Sequence, residues 1–157
     1  DIRAYQYRPD LAANNAALLD FVHRGGTMIV MYQKTFDWSP DYAPYSLTLS
    51  NNRVTREDAP VTLLVPDHPL FTMPNAIQPA DWDGWIQERG LYFPDAWSEE
   101  FTPLLQMADP GEEIPPGSLL VAQYGDGHYV YTALAWYRQL RELHPGALRC
   151  FANMLAL

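Results

Sequence analysis

The chain has a single cysteine, Cys150, among its 157 residues. One thiol excludes an internal disulfide and any cysteine-rich zinc site. Basic residues are scarce as well. Ten Lys and Arg face 19 Asp and Glu, for a formal net charge of −9. Nucleic acid or an anionic lipid surface would be repelled by that balance, because binding there rests on neutralising phosphates with clustered basic side chains. Neutral and cationic partners suit it better. The sequence has no run of 18 apolar residues, so no membrane span is expected, and no basic-then-apolar start of the kind that opens a signal peptide. It opens on Asp1 rather than Met, which leads us to expect an excerpt or a processed product.

Chemical motifs are equally sparse. A nucleophile elbow needs small glycine neighbours around a Ser or Cys, so that the side chain stands exposed on a strained turn. Neither Gly-x-Ser-x-Gly nor Gly-x-Cys-x-Gly occurs, and Cys150 falls mid-helix as a packed small residue. His23, His68, His128 and His144 are scattered without a His-x-x-x-His or His-Glu-x-x-His spacing, so no metal site is expected. "DWDG" (81 to 84) has its glycine at the wrong offset for a calcium loop, and "GDG" (125 to 127) lacks the lysine and helix of a phosphate cradle. Asp81 with Asp83, Asp95 with Glu99, and Glu112 with Glu113 are carboxylate pairs by sequence alone. Glycoside hydrolysis needs two carboxylates facing each other at roughly 5 to 9 Å, which adjacency in sequence does not establish. "PDHP" sets Asp67 beside His68 at the end of a short strand, a place for function or for a plain turn.

What is present is apolar residue, 48%, and an unusual load of prolines (14) and aromatics (13%). A chain of this length reads as one domain, 1–157, able to bury roughly 70% of its unfolded surface. "RPDLAANNAALLDFVHRGG" predicts a helix with Pro9 in its first turn, Leu11, Leu18, Leu19 and Val22 at helical spacing, and Gly25-Gly26 as the stop. "TMIVMYQ" follows as a nearly continuous apolar run, the pattern of a strand covered on both faces in a parallel sheet. The preceding strand of that βαβ unit is expected upstream, with only its end at "DIRAY". Short strands are expected at 45–50, 61–65 and 102–107. "SLLVAQY-GDG-HYVYTAL" predicts a hairpin around glycines that require positive φ. "HPGALRCFANMLAL" closes the chain as a helix with Leu148, Phe151, Ala152 and Leu155 on one face. The expected architecture is α/β, with a mainly parallel sheet, a C-terminal hairpin and a large irregular insertion over about 34–100.

The segments "IRAY", "LLDFVHRGGTMIVMYQ", "APYSLTLSNNRVTREDAPVTLLVPDHPLF", "DWDGWIQERGLYFPDAW", "TPLLQMADPGEE" and "GSLLVAQYGDGHYVYTALAWYRQL…PGALRCFANMLAL" together resemble one family region across essentially the whole chain. It is the C-terminal class I glutamine-amidotransferase-like domain attached to PIG-L (LmbE-like) deacetylases of bacteria. The resemblance implies a flavodoxin-like three-layer sandwich that lacks its first βα unit or units here. The parent proteins carry an Ala-His-Pro-Asp-Asp zinc motif and remove N-acetyl groups from amino sugars. That motif is not in this chain, and neither is the amidotransferase's cysteine on a glycine elbow. Zinc is therefore expected only in the parent deacetylase domain, with no cofactor here. The implied partners are that N-terminal domain or the upstream βα segment, a saccharide, or a second copy. The compartment is left open, periplasmic and secreted included.

The insertion contains "DWDGWIQERGLYFPDAWSEEF" (81 to 101), with three tryptophans and six carboxylates. It fits neither a helix stripe nor a strand alternation. Trp82, Trp85, Tyr92, Phe93 and Trp97 suit stacking on sugar faces or on a neighbouring domain, with Asp81, Asp83, Gln87 and Arg89 supplying hydrogen bonds. The same rings also suit packing against the sheet, with Arg89 tied to nearby carboxylates. Three functions are expected. The first, which the resemblance implies, is a non-catalytic accessory domain of a PIG-L/LmbE-like sugar N-deacetylase, for carbohydrate recognition or for docking and oligomerisation. The second is a hydrolase using Asp67 and His68 with acids of 81–100. The third is a purely structural interdomain module.

Overall fold

The computed structural model describes residues 2–115 and 117–157. The N-terminal segment is helical but broken. Helices α1 (Ala4–Tyr7), α2 (Pro9–Ala13) and α3 (Asn15–His23) replace the single helix expected from Pro9 onward. At the break, both the backbone N–H and the side-chain amide of Asn14 donate to the Asp10 carbonyl (3.0 and 2.8 Å). Ile2 and Arg3 form a turn into α1 rather than the expected strand end, and Asp1 lies outside the described residues. Of the predicted apolar stripe only Val22 is fully buried; Leu11, Leu18 and Leu19 are half-buried. Gly25, at φ 102, ends α3 as expected.

Strand β1 (Thr27–Met31) then enters the main sheet. The following strands are β2 (Leu47–Leu49), β3 (Arg53–Val54), β4 (Val61–Leu63), β5 (Gly90–Leu91), β6 (Pro94–Trp97), β7 (Phe101–Met107), β8 (Leu119–Tyr124) and β9 (Gly127–Thr132). Five of them form one sheet in the order β1-β9-β8-β7-β4, and β2-β6 and β3-β5 form two small ribbons. The chain is α/β, but the expectation of a mainly parallel sheet is corrected. Only β1 runs parallel to its neighbour β9; the pairs β9-β8, β8-β7 and β7-β4 are antiparallel. A continuous apolar run reports burial on both faces, which antiparallel strands reach equally when both faces are covered. Leu119, Leu120, Val121 and Ala122 of β8 are all buried in an antiparallel setting. The segment at 61–65 is an edge strand with Val61 and Leu63 only half-buried.

The expected hairpin is present as β8 and β9, paired from Leu119↔Thr132 to Tyr124↔Gly127. Its two glycines act for different reasons. Gly125 has φ 60, the left-handed region. Gly127 does not need positive φ; a Cβ there would collide with the carbonyl oxygens of Val22 and Gly26, so it is small because α3 crosses β9 at that point.

Helices α4 (Pro69–Thr72), α5 (Trp136–Arg141) and α6 (Pro145–Leu155) complete the fold. The buried side of α6 is Gly146, Ala147, Cys150, Asn153 and Met154, not the predicted one. Leu148 and Leu155 are 41% and 62% exposed. The sequence pattern counts Asn153 as outward, yet its side chain is fully buried and brackets the backbone of residues 70–75. Its Nδ2 donates to Leu70 O (2.8 Å) and Asn75 O (2.7 Å), and its Oδ1 accepts from Asn75 N (2.9 Å). Cys150 is packed on this face, as its mid-helix position predicts.

Candidate functional site

The insertion holds the residues that the sequence nominates, and the structure separates them. Trp82, Trp85 and Arg89 are at 5%, 3% and 3% exposure. The two rings lie 5.8 Å apart, and both lean on Trp136 of α5 at 6.4 and 5.3 Å. Trp85 Nε1 donates to Glu88 O at 2.8 Å. Arg89 lies against the Trp85 ring: Nε and Nη2 donate to Ala59 O (3.1 and 2.9 Å), Nη1 donates to Trp82 O (2.8 Å), and the guanidinium sits 5.5 Å from the Trp85 ring centre. The expected tie to carboxylates is therefore a tie to backbone carbonyls. Burial pulls the Arg89 guanidinium down to about 10, against the opposing pull of Asp58, Asp83 and Glu57.

Above this buried cluster lies an open cavity of about 250 Å3 lined by Glu57, Asp58, Trp82, Asp83, Gly84, Trp85 and Arg89. Three carboxylates rim it, while the two buried indoles and the guanidinium form its floor. It can accept hydrogen bonds from hydroxyl or amine groups. The two indoles are 5% and 3% exposed and touch each other and Trp136, so they offer a ligand little ring face for stacking. Asp58 also holds Arg56 on the surface, through Arg56 Nε to Oδ1 at 2.8 Å and Nη2 to Oδ2 at 2.6 Å.

The remaining nominated residues lie elsewhere. Asp81 closes the turn at 78–82: its Oδ2 accepts from Gln78 N (2.7 Å) and its Oδ1 faces Arg149 Nε at 3.2 Å. Trp97 is half-buried on β6, and Phe93 is fully buried. His68 caps α4, with Nδ1 accepting from Leu70 N at 3.1 Å; burial and then the neighbouring His128 lower its pKa. Asp67 beside it is exposed. Glu112 and Glu113 line a different cavity, of about 290 Å3, with Asn51, Asn52 and Arg53. Among the described residues, no group of three or more His, Cys, Asp and Glu could hold a metal ion, and no helix is long and apolar enough to cross a membrane.

One cluster was not legible in the sequence. At the carboxyl end of β1, Tyr32 has φ 52, and Gln87 and Tyr92, which gather around it, have φ 73 and 59. Left-handed backbone at non-glycine residues is costly and tends to collect where the surroundings over-determine it. Tyr32 Oη donates to Glu88 Oε1 at 2.6 Å, and Arg138 Nη2 reaches the same oxygen at 3.3 Å. Gln87 bonds Arg138, while the rings of Tyr92 and Tyr137 stand edge-on to Tyr32 at 5.7 and 5.8 Å. Burial, then the hydrogen bond to Glu88, push the Tyr32 phenol well up, so it stays a proton donor. A strained residue after a strand is half of a nucleophile elbow. The other half is absent: its neighbours are Met31 and Gln33, and no helix follows at 33–39. No short-range pattern announces this cluster, because its hydrogen bonds join residues 50 or more positions apart.

No family model matches the chain, and no curated protein matches it. Solved structures that match it in shape include the following two. A cytoplasmic protein, STM3548, from Salmonella typhimurium matches with a TM-score of 0.54 at 14% identity, over 90% of this chain and 58% of that one. A cold-adapted β-galactosidase from Rahnella sp. R3 matches with a TM-score of 0.48 at 15% identity, over 91% of this chain and 21% of that one. The chain thus spans less than two thirds of the structures it resembles, and at these identities the likeness to STM3548 is one of fold alone.

Proposed function

We propose that this chain is a non-catalytic accessory domain of a PIG-L/LmbE-like sugar N-deacetylase, with a flavodoxin-like, amidotransferase-like fold that serves docking. The observation that carries the non-catalytic reading is Cys150. Amidotransferase chemistry needs an accessible thiolate. The chain's one thiol is 1% exposed on the inner side of α6, and burial pushes it up to about 12. The hydroxyl of Tyr32, which does sit at a strained turn, is held protonated against Glu88.

The deacetylase part of this reading rests on the sequence resemblance. Expressing the complete reading frame that encodes these residues, and measuring acetate release from N-acetylated amino sugars, tests it. Zinc-dependent release that survives Cys150→Ala is the expected result; no release overturns it.

Carbohydrate recognition has one specific support, the carboxylate-rimmed cavity of Glu57, Asp58 and Asp83 over Trp82, Trp85 and Arg89. Titration calorimetry with N-acetylglucosamine oligomers tests this second reading, which requires heat that disappears in Asp83→Ala. The hydrolase alternative has less support, because the Nδ1 lone pair of His68 is committed to the Leu70 amide.

A further inference from the structure

The dipeptide His-Pro occurs twice, at 68–69 and 144–145, and each time it opens a helix. Proline at the first helical position has no N–H to satisfy, so the cap serves the amides behind it. In α4 the Nδ1 of His68 accepts from Leu70 N at 3.1 Å, and in α6 the Nδ1 of His144 accepts from Ala147 N at 3.2 Å. A backbone amide can only donate. Both imidazoles must therefore keep Nδ1 bare and carry their one proton on Nε2, which in His144 donates to Asp83 O at 2.7 Å. A second proton has nowhere to go but Nδ1. There it would face an N–H, turn an acceptor into a donor, and set a positive charge on the positive end of a helix.

The two caps hold one unit. Both α4 and the turn at 79–82 pack on α6. Asn153 of α6 brackets the backbone of 70–75, and a Cβ on Gly146, two residues past His144, would strike the Asp81 carbonyl oxygen. The His144 ring stands 5.7 Å from the Trp85 ring. The segment 68–85 is thus fastened at both ends by neutral histidines.

The charged groups around the two rings are exposed or already engaged. Next to His68, Asp67 is exposed, β9 brings His128, and Arg149 of α6 is committed to Asp81 and Ala76 O. Burial first, and then His128, lower the His68 pKa. Around His144, the 79–83 turn carries Asp81, held by Arg149 and Gln78 N, and the exposed Asp83. Helix α5 carries Arg138, turned to Gln87 and Glu88, and the exposed Arg141 and Glu142. On α6 itself are Arg149 and the buried thiol of Cys150, and Arg89 lies against the Trp85 ring.

We infer that His68 and His144 form a proton-operated clasp, in which protonation of both imidazoles uncaps α4 and α6 together and releases segment 68–85 while the five-stranded sheet stays folded. Release turns the buried Trp82 and Trp85 rings toward solvent, so acid converts a packed segment into an aromatic surface. The closed form requires neutral histidine. The clasp is therefore complete above the value of free histidine, near 6.5, and weakens as pH falls below it. Each imidazole raises the open-to-closed ratio by up to about tenfold per pH unit, and the two together by about a hundredfold. Carboxylates titrate near 4, below this window. The inference does not depend on the deacetylase assignment.

Native-state amide hydrogen exchange of the chain from about pH 8 to about pH 5, corrected for intrinsic rates, measures the open population. Protection of the Leu70, Asn75 and Ala147 amides should be level above about pH 7 and then fall by up to about a hundredfold per unit. Amides of β8 and β9 should keep theirs. Asparagine supplies a capping oxygen that does not titrate, so His68→Asn or His144→Asn should reduce the slope to about tenfold per unit. The double variant should show no slope. If the variants fail to fold, NMR of the imidazole protons in the unmodified chain decides the matter, because both rings must titrate in step with the loss of protection. Protection that stays level down to pH 5 overturns the inference, and so do rings that titrate without loss of protection. A slope that survives the double variant belongs to His23, His128 or a carboxylate and also overturns it. Loss of β8 and β9 protection at the same pH overturns it too, since the chain would then be unfolding as a whole.

Discussion

The sheet and the insertion solve one problem in opposite ways. Strands β7, β8 and β9 satisfy their backbone groups with each other, in ladders set by the chain itself. The segment from 34 to 100 has few ladders, and much of its backbone is held by side chains from elsewhere. Asp109 at the end of β7 accepts from the amides of Thr55 and Arg56 (2.8 and 2.9 Å). Gln139 of α5 bonds both N and O of Ile86 at 2.9 Å. His144 takes Asp83 O (2.7 Å) while its Nδ1 accepts from Ala147 N, which fixes the Nε2–H tautomer. Asn153 and Tyr131 complete the set on residues 70–75 and Tyr92. The buried polar residues include Arg89, Asp109, Gln139, His144 and Asn153, and all five hold this one segment. An irregular loop can pack inside a protein only if something replaces its ladder, and here the replacement is a set of buried polar side chains.

The contrast predicts where damage should fall. Arg89→Met leaves the carbonyls of Ala59 and Trp82 buried and unpartnered, at a cost of about 4 kcal/mol. Its signature should be local. Near-UV circular dichroism of the tryptophans should collapse at denaturant concentrations where β8 and β9 amides remain protected from exchange. Simultaneous loss of both would show that sheet and insertion are one cooperative unit.

On the sheet side, Gly127→Val drives a side chain into the carbonyls of Val22 and Gly26 and should cost about 2 kcal/mol through overpacking. Thermal melting checks it, and a wild-type midpoint would show that α3 can give way.

Asp109→Asn should cost about 1 kcal/mol at neutral pH. Burial raises the pKa of this carboxyl, but hydrogen bonds from Thr55 and Arg56 outweigh that and hold it below the usual carboxylate value. A lowered folded pKa contributes stability that is complete above the unfolded value near 4 and fades as pH falls through the folded one. The difference between Asp109 and the variant, measured by urea unfolding, should therefore shrink below about pH 4. A difference that grows on acidification would reverse the assignment.

The smallest effect is expected for Tyr32→Phe, about 0.5 to 1 kcal/mol, because Glu88 keeps Arg138 as a partner. Urea midpoints at pH 7 measure it, and a loss several times larger would mean that the hydroxyl organises the strained backbone at Gln87 and Tyr92.

The two regions also differ in how far the sequence discloses them. The hairpin at 119–132, β1 and the stop at Gly25-Gly26 are local events, written in apolar runs and glycines, and they sit where the pattern places them. Outside the hairpin, strand direction was not legible, because an apolar run records only that both faces are covered. The Trp82, Trp85 and Arg89 cluster was legible as residue types, but its orientation was not. Whether an indole faces a ligand or another indole depends on Trp136, which lies more than 50 positions away. The rotation of α6 escaped for a similar reason: Asn153 looks like a surface residue until Leu70 and Asn75 supply its partners.

By itself the sequence determined the charge, the lone thiol, the α/β composition and the turns, because each depends on residues within a few positions of one another. Only the tertiary structure decided that the aromatic segment turns inward, that Tyr32, Glu88 and Arg138 meet, and that β4 pairs antiparallel with β7. Those outcomes depend on which distant group arrives to desolvate a side chain or accept its hydrogen bond, and a linear pattern does not carry that information.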